Sequence, residues 1–294
     1  MVRHRKRISR RGLLVTAVIA TGAVLAPVAI QAVQAAPADT AGGKQNPVRA
    51  LEQAAHPLRS TEPGRSTADL RPLGAMTGDA KVVGLGEATH GSHEFFTMKE
   101  RVFRCLVEEK GFTTFALELN PDDPGTLPSF QRFRDEVMAQ NVTWWQQHTG
   151  HKVLLSAHND HVGRVAGDSE LYPKTQGSFL RDTMGENYVP IGFTFHQGSF
   201  LSKDAALVGD WKKFTVDGAE PGRNEYTLDQ VRYRDFSLDV RNGPAPARAW
   251  LNVARPTLGV GTQFPVKPRG VALVKSFDVL IHLHDVRAAH KRMP

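Results

Sequence analysis

The stretch from Lys81 to Leu117 constrains this chain's fold more than any other. Lys81-Val82-Val83-Gly84-Leu85-Gly86 is a short apolar run that stops on glycines, the pattern of a buried strand. Phe95, Met98, Val102, Cys105 and Leu106 then recur at helical spacing, and Gly111 supplies a helix stop. Thr113-Thr114-Phe115-Ala116-Leu117 reads as a second strand. A strand, a helix and a strand in this order make a βαβ unit, because parallel neighbours need the helix as a crossover.

The alternation continues downstream. Residues 130–147 read as a helix with Phe133, Val137, Val142 and Trp145 on its apolar side. Val153-Leu154-Leu155-Ser156-Ala157 reads as a strand, Ser178 to Met184 as a short helix, and Tyr188 to Phe195 as a further strand. Residues 201–270 carry several Pro and Gly and give no regular pattern. Phe277-Asp278-Val279-Leu280-Ile281-His282 reads as a final strand. The expected architecture is α/β: a mostly parallel sheet flanked by helices, forming one domain over residues 48–294. A chain of 294 residues can bury the core this requires.

Residues 1–35 read as an export signal of the twin-arginine type. Arg3, Arg5, Lys6, Arg7, Arg10 and Arg11 precede an apolar run from Leu13 to Ile30, and small residues around Ala35 offer a cleavage site. An uncleaved membrane anchor is the alternative, since the run is about long enough to span a bilayer. Residues 36–47 have the composition of a flexible linker. The mature protein is therefore expected outside the cytoplasm of a bacterium, touching membrane only through its signal. The formal charge of +7 suggests nucleic-acid binding only at first sight. Six of the 37 basic residues lie within the first eleven, and the remaining 31 nearly balance the 30 acidic ones, so no nucleic-acid partner is expected. Cys105 is the only cysteine, which excludes an intramolecular disulfide, and its apolar neighbours mark it as a small core residue.

In an open parallel sheet, ligands bind beyond the carboxyl ends of the strands. Three strand ends here carry groups suited to hydrolysis. The first is Gly86-Glu87-Ala88-Thr89-His90-Gly91, with Glu94 soon after. Glu118 follows the second strand, and His158-Asn159-Asp160-His161 follows the third. A neutral imidazole can take a proton from water near pH 7, and a carboxylate can orient it.

These residues also carry a resemblance. The run from Gly84 to Phe96, then Leu106-Val107-Glu108-Glu109 and Gly111-Phe112, ending on Glu118, resembles the opening motif of the erythromycin esterase family. Arg134-Asp135, Met138-Ala139, Asn141-Val142 and Trp144 resemble its later helix, and Lys152-Val153 with Ala157 to Val162 the strand after it. Tyr188 to Phe193 and Phe277 to His282 resemble its last strands. The resemblance implies hydrolysis of an ester, in known members the macrolide lactone of erythromycin, and with it a role in antibiotic resistance. It implies His90 as the general base, with Glu87 and Glu118 orienting or polarising. His158 and His161 complete the site, orienting substrate or stabilising the oxyanion. Lys99 and Glu94 are expected to contact substrate. No G-x-S-x-G elbow is present, which suits attack by water, and no cofactor is required.

Two alternatives stay open at this point. The same histidines and glutamates are plausible ligands of a divalent metal, which would also activate water. A silent binding protein of the same fold is the other. The family carries a long insert between the positions of Glu118 and Arg134, where this chain has only residues 119–133. A pocket without that lobe is expected to prefer small esters. The uncovered face is expected to drive self-association or leave the protein marginally stable.

Overall fold

A computed structural model describes residues 46–118, 128–206 and 209–290. The proposed signal and most of the linker lie outside the described residues. In chain order the strands are β1 (Ala55–Pro57), β2 (Val82–Leu85), β3 (Phe112–Leu117), β4 (Lys152–Ser156), β5 (Tyr188–Asp204), β6 (Lys212–Val216), β7 (Phe236–Asp239), β8 (Arg255–Thr257), β9 (Gln263–Phe264), β10 (Arg269–Val271) and β11 (Val279–Val286). The helices that matter below are α1 (Pro47–Ala54), α2 (Arg71–Met76), α3 (His93–Lys110), α4 (Pro128–Thr149), α5 (Asn159–Val162), α6 (Gln176–Met184), α7 (Asn224–Leu228) and α8 (Ala245–Leu251).

The main sheet runs in the order β1-β7-β11-β5-β2-β4-β3, with β6 and β9 both pairing with β5. From β11 to β3 every neighbour is parallel, and β7 and β1 close the other edge antiparallel. The strand-helix-strand reading of Lys81 to Leu117 thus corresponds to β2, α3 and β3, with β4 inserted between the two strands. Helices cover both faces, so β2 has no polar side. All four residues of β2 are buried: Val83 and Leu85 join a core with Phe95, Met98, Val102 and Cys105 of α3, whereas Val82 faces a second core with Val153, Leu155 and Leu180. Among the described residues, no helix is long and apolar enough to cross a membrane.

One expectation about α4 needs correcting. Phe133 and Trp145 do not face the core; they are 65% and 42% exposed. The buried stripe is Gln131, Arg134, Asp135, Met138, Ala139, Val142 and Gln146, at the three- and four-residue spacing of one helix face. Its first turns are polar because they project into the cleft beyond β3 and β4, so hydrophobicity alone picks the wrong side there.

Candidate active site

The loop after β2 is fixed from several directions. Gly86 N–H donates to Ile191 O at 2.8 Å, Asn159 N–H to Glu87 O at 2.9 Å, and Val260 N–H to Ala88 O at 2.6 Å. A Cβ at Gly86 would lie 2.2 Å from Asn159 Oδ1, so only glycine lets the chain turn this close to the end of β4. That turn sends Glu87 under His90.

Glu87 and His90 form the central pair. His90 Nδ1 lies 2.6 Å from Glu87 Oε1, while Lys99 Nζ donates to Glu87 Oε2 at 2.6 Å. Lys99 also donates to Ser156 Oγ at 2.9 Å and to Ala157 O at 3.3 Å. Burial alone would raise the Glu87 carboxyl, but the Lys99 ammonium and then His90 outweigh it and hold it at about 2. A permanent carboxylate therefore faces Nδ1, places the ring proton there, and leaves Nε2 of the quarter-exposed His90 with its lone pair.

His158 stands beside it, the two ring centroids 5.1 Å apart. The Asp160 N–H donates to His158 Nδ1 at 3.2 Å, which puts the His158 proton on Nε2. That nitrogen is buried and has no hydrogen-bond partner. Burial keeps the ring neutral, lowering its pKa against the pull of Asp160. His90 thus presents an acceptor and His158 a neutral donor.

Behind them lies a second layer of charge. Glu118 Oε2 accepts the His158 N–H at 2.8 Å, and its Oε1 takes Arg134 Nη2 at 2.6 Å and His161 Nε2 at 3.1 Å. His161 Nδ1 donates to Asp135 Oδ1 at 2.6 Å, and Asp135 Oδ2 accepts from Gln176 N–H at 2.9 Å. Burial opposes charge on His161, yet Glu118 and Asp135 on either side push it up to about 9. His161 foremost, then His90 and Arg134, hold Glu118 well below the usual carboxylate range despite its burial. Tyr172 packs edge-on to His161 at 5.2 Å. Arg134 Nη1 also lies 2.8 Å from His161 Nε2, so Glu118, Arg134, His161 and Asp135 form one connected polar cluster.

His90, Glu118, Arg134, His158, His161 and Tyr172 open onto a cavity of about 240 Å³. Residues of the segments 257–263 and 266–273 also line it. Of the residues singled out from sequence, Glu87, His90, Glu118, His158 and His161 are brought together. Lys99 and Glu94 are not free to contact substrate. Lys99 is buried beneath Glu87, where it orients the carboxylate instead. Glu94 turns away from the cleft because both its oxygens hold Arg287, Oε1 at 2.6 Å from Nε and Oε2 at 2.5 Å from the backbone N–H. Sequence reading missed Arg134, Asp135 and Tyr172; charged residues spaced within the buried stripe of α4 were the available signal.

These donors do not fit a metal. Each glutamate oxygen already faces a cation or an N–H group, and His161 is bonded through both nitrogens. Among the described residues, no three His, Cys, Asp or Glu side chains as they stand gather closely enough to hold an ion.

Comparison with known proteins bears on the fold and the family. A segment of 62 residues is 40% identical to the erythromycin esterase type II of Escherichia coli, covering 21% of this chain and 15% of that protein. A solved structure described as a succinoglycan biosynthesis protein superposes with a TM-score of 0.78 at 22% identity, over 86% of this chain and 100% of the other. A Bacillus cereus protein gives 0.77 at 22% identity, over 84% and 98%. A histidine-to-asparagine variant of the erythromycin esterase EreC, in its open conformation, gives 0.60 at 12% identity, over 77% and 96%. At such identities these likenesses speak for the fold. The sequence model of the erythromycin esterase family matches residues 122–286, more than half of the chain and the span that supplies Arg134, Asp135, His158 and His161. The chain belongs to the erythromycin esterase family.

Proposed function

We propose that this protein hydrolyses small carboxylic esters by direct attack of water, with His90 as general base. The supporting observation is the pairing of His90 with a permanently charged Glu87 at 2.6 Å, beside a neutral His158 whose Nε2–H points at no protein partner. Water gives a proton to His90 Nε2 as its oxygen attacks the ester carbonyl. Glu87 stabilises the imidazolium that forms. His158 Nε2–H donates to the oxyanion of the tetrahedral intermediate. Collapse breaks the bond to the alcohol, which takes the proton back from His90, leaving acid and alcohol.

A cavity of about 240 Å³ is below the roughly 300–1,000 Å³ usual for drug-sized ligands, which favours short esters over a macrolide. The test is steady-state hydrolysis of short aryl esters, lactones and erythromycin, with and without chelator, by wild type, His90→Ala and Cys105→Ala. The proposal expects turnover of aryl esters that His90→Ala loses and Cys105→Ala keeps. A folded His90→Ala protein with wild-type rates would end it. Ligand-induced stabilisation without turnover would instead identify a binding protein. Export through the first 35 residues is part of the same proposal, and the intact mass of secreted protein should show cleavage near Ala35.

A further inference from the structure

The sheet ends on β3, and the mechanism above makes no use of that edge. Phe115, Ala116 and Leu117 pair in register with Leu154, Leu155 and Ser156 of β4, and among the described residues no other strand lies beside β3. Glu118 N–H donates inward to Ser156 O at 2.9 Å. Backbone groups alternate in direction along a strand, so Phe115 and Leu117 turn their N–H and C=O groups outward, away from β4. Apolar side chains border this edge on both faces of the sheet. On one face Phe96, Phe103 and Val107 lie seven and four residues apart along one side of α3, and the Phe103 ring meets Phe115 edge-on at 5.4 Å. On the other, Trp145 Nε1 donates to Thr114 Oγ1 at 3.1 Å, and the Trp144 ring lies 6.4 Å from that of Trp145.

The size of this border is informative. Phe96, Val107, Phe115, Leu117, Trp144 and Trp145 are each between 38% and 69% exposed. At about 150–250 Å² for a large side chain, they leave roughly 600 Å² of apolar surface in water. A monomer's largest apolar patch is about 300–600 Å², so this edge sits at the upper limit of what a free surface carries. It is also about three-quarters of the ~800 Å² that each partner buries in a standard interface, near the ~65% apolar share of homodimer interfaces. The outward N–H and C=O groups add a second requirement, since only another strand satisfies them in order. A copy of β3 meets both requirements at once: it brings a strand of equal length and the same two apolar borders.

We propose that a second copy of this chain covers the edge, its β3 pairing antiparallel with the first about a two-fold axis at Phe115. An axis normal to the sheet keeps each side chain on its own face and sets Phe115 opposite the second copy's Phe115. Both residues turn N–H and C=O outward, so they exchange two hydrogen bonds. Leu117 then falls opposite the second copy's Thr113, where the register shift at Phe112/Thr114 ends the ladder. Phe103 brings a ring from each copy to the axis. The α3 stripes meet on one face of the joined sheet, and the tryptophans of α4 meet on the other. Antiparallel pairing points the two catalytic clefts toward opposite ends of the joined sheet, so the proposal is independent of the esterase reading.

The test is sedimentation equilibrium of the full-length protein from low to high micromolar concentration, with circular dichroism to verify folding. The expected result is twice the chain mass, with a dissociation constant in the micromolar range or tighter. Phe115→Lys sets two ammonium groups against each other at the axis and should weaken the dimer by about a hundredfold or more. Trp144→Glu, on the surface of α4, should weaken it as well. Phe115→Cys reads the register directly. Facing residues of an antiparallel pair stand about 5.5 Å apart, within disulfide reach, so mild oxidation should give a covalent dimer. Val253→Cys, exposed just after α8, should not cross-link, and buried Cys105 stays out of the reaction. The proposal fails with a wild type that stays monomeric, whatever lipid or other protein it binds. It fails equally with a folded Phe115→Lys or Trp144→Glu protein that dimerises as wild type does, or with Phe115→Cys that cross-links no faster than Val253→Cys. Should Phe115→Lys not fold, the other two variants decide.

Discussion

Glu87→Gln separates the role of the buried carboxylate from that of the imidazole it holds. The substitution keeps the shape and offers Nδ1 either an amide oxygen or an amide nitrogen, but no charge. When His90 takes a proton, an imidazolium forms about 4 Å, centre to centre, from the Glu87 charge. At an effective dielectric of about 20 that attraction is about 4 kcal/mol. Lys99 remains in the variant, so its own repulsion of the imidazolium is common to both proteins and leaves the difference at about that value. The expected loss is therefore about a thousandfold in kcat, with KM nearly unchanged, since the missing interaction appears only as the reaction proceeds. That lies within the hundred- to ten-thousand-fold range usual for general-base assistance. The assay is hydrolysis of a short aryl ester, with circular dichroism to verify folding, because the variant also strips Lys99 of its ion pair. Adding Lys99→Met in the same chain removes the stranded ammonium and should restore stability without restoring kcat. A folded Glu87→Gln enzyme within threefold of wild-type kcat would refute the charge argument. So would a loss confined to KM.

Three further outcomes follow from the same geometry. His158→Ala should cost about a hundred- to a thousandfold in kcat, the usual effect of removing one oxyanion donor, while His158→Gln, which still offers an N–H, should recover part of it. Stability should fall on both sides of neutrality in thermal melts. Glu87, depressed to about 2, contributes about 3 kcal/mol above pH 4.5 that is lost as the pH falls toward 2. His161, raised to about 9, contributes stability below pH 6.5 that is lost as the pH rises through 9. A melting temperature flat from pH 3 to pH 10 would contradict both. Arg101→Met should destabilise by about 3–5 kcal/mol in chemical denaturation, because it leaves buried Asp69, 2.7 Å from Arg101 Nη2, without its countercharge.

The fold was legible wherever a segment's environment repeats along the chain. Lys81 to Leu117 lies in a sheet covered on both faces, so unbroken apolar runs and a helical stripe describe it well. The site was legible where polar residues follow such a run directly, as Glu87, His90, Glu118 and His158 do. It was illegible where a helix projects polar groups inward. Arg134 and Asp135 occupy the buried face of α4, and their burial is stabilised by ions from two other elements, which periodicity cannot register. His196 and His282 are each unremarkable in their own segment, and only the pairing of β5 with β11 brings them to a common face.

The outer edge of the sheet bears on how this protein is recovered from the unfolded state. Among the described residues, β3 pairs only with β4, and Phe115 and Leu117 project from it 49% and 69% exposed. Trp145, bonded to Thr114, and Trp144 widen the apolar border beside it. Strand edges of this kind are usually blunted by lysine, proline or a bulge that turns the backbone aside. Here the Phe112–Leu117 segment contains neither lysine nor proline, and its register shift lies at Phe112/Thr114, leaving the last four residues regular. Parallel strands close late, because their partners are distant in sequence, so this edge stays open to other chains while the sheet assembles. Refolding yield should therefore fall steeply with protein concentration, and dilution or a charged residue at Leu117 should restore it.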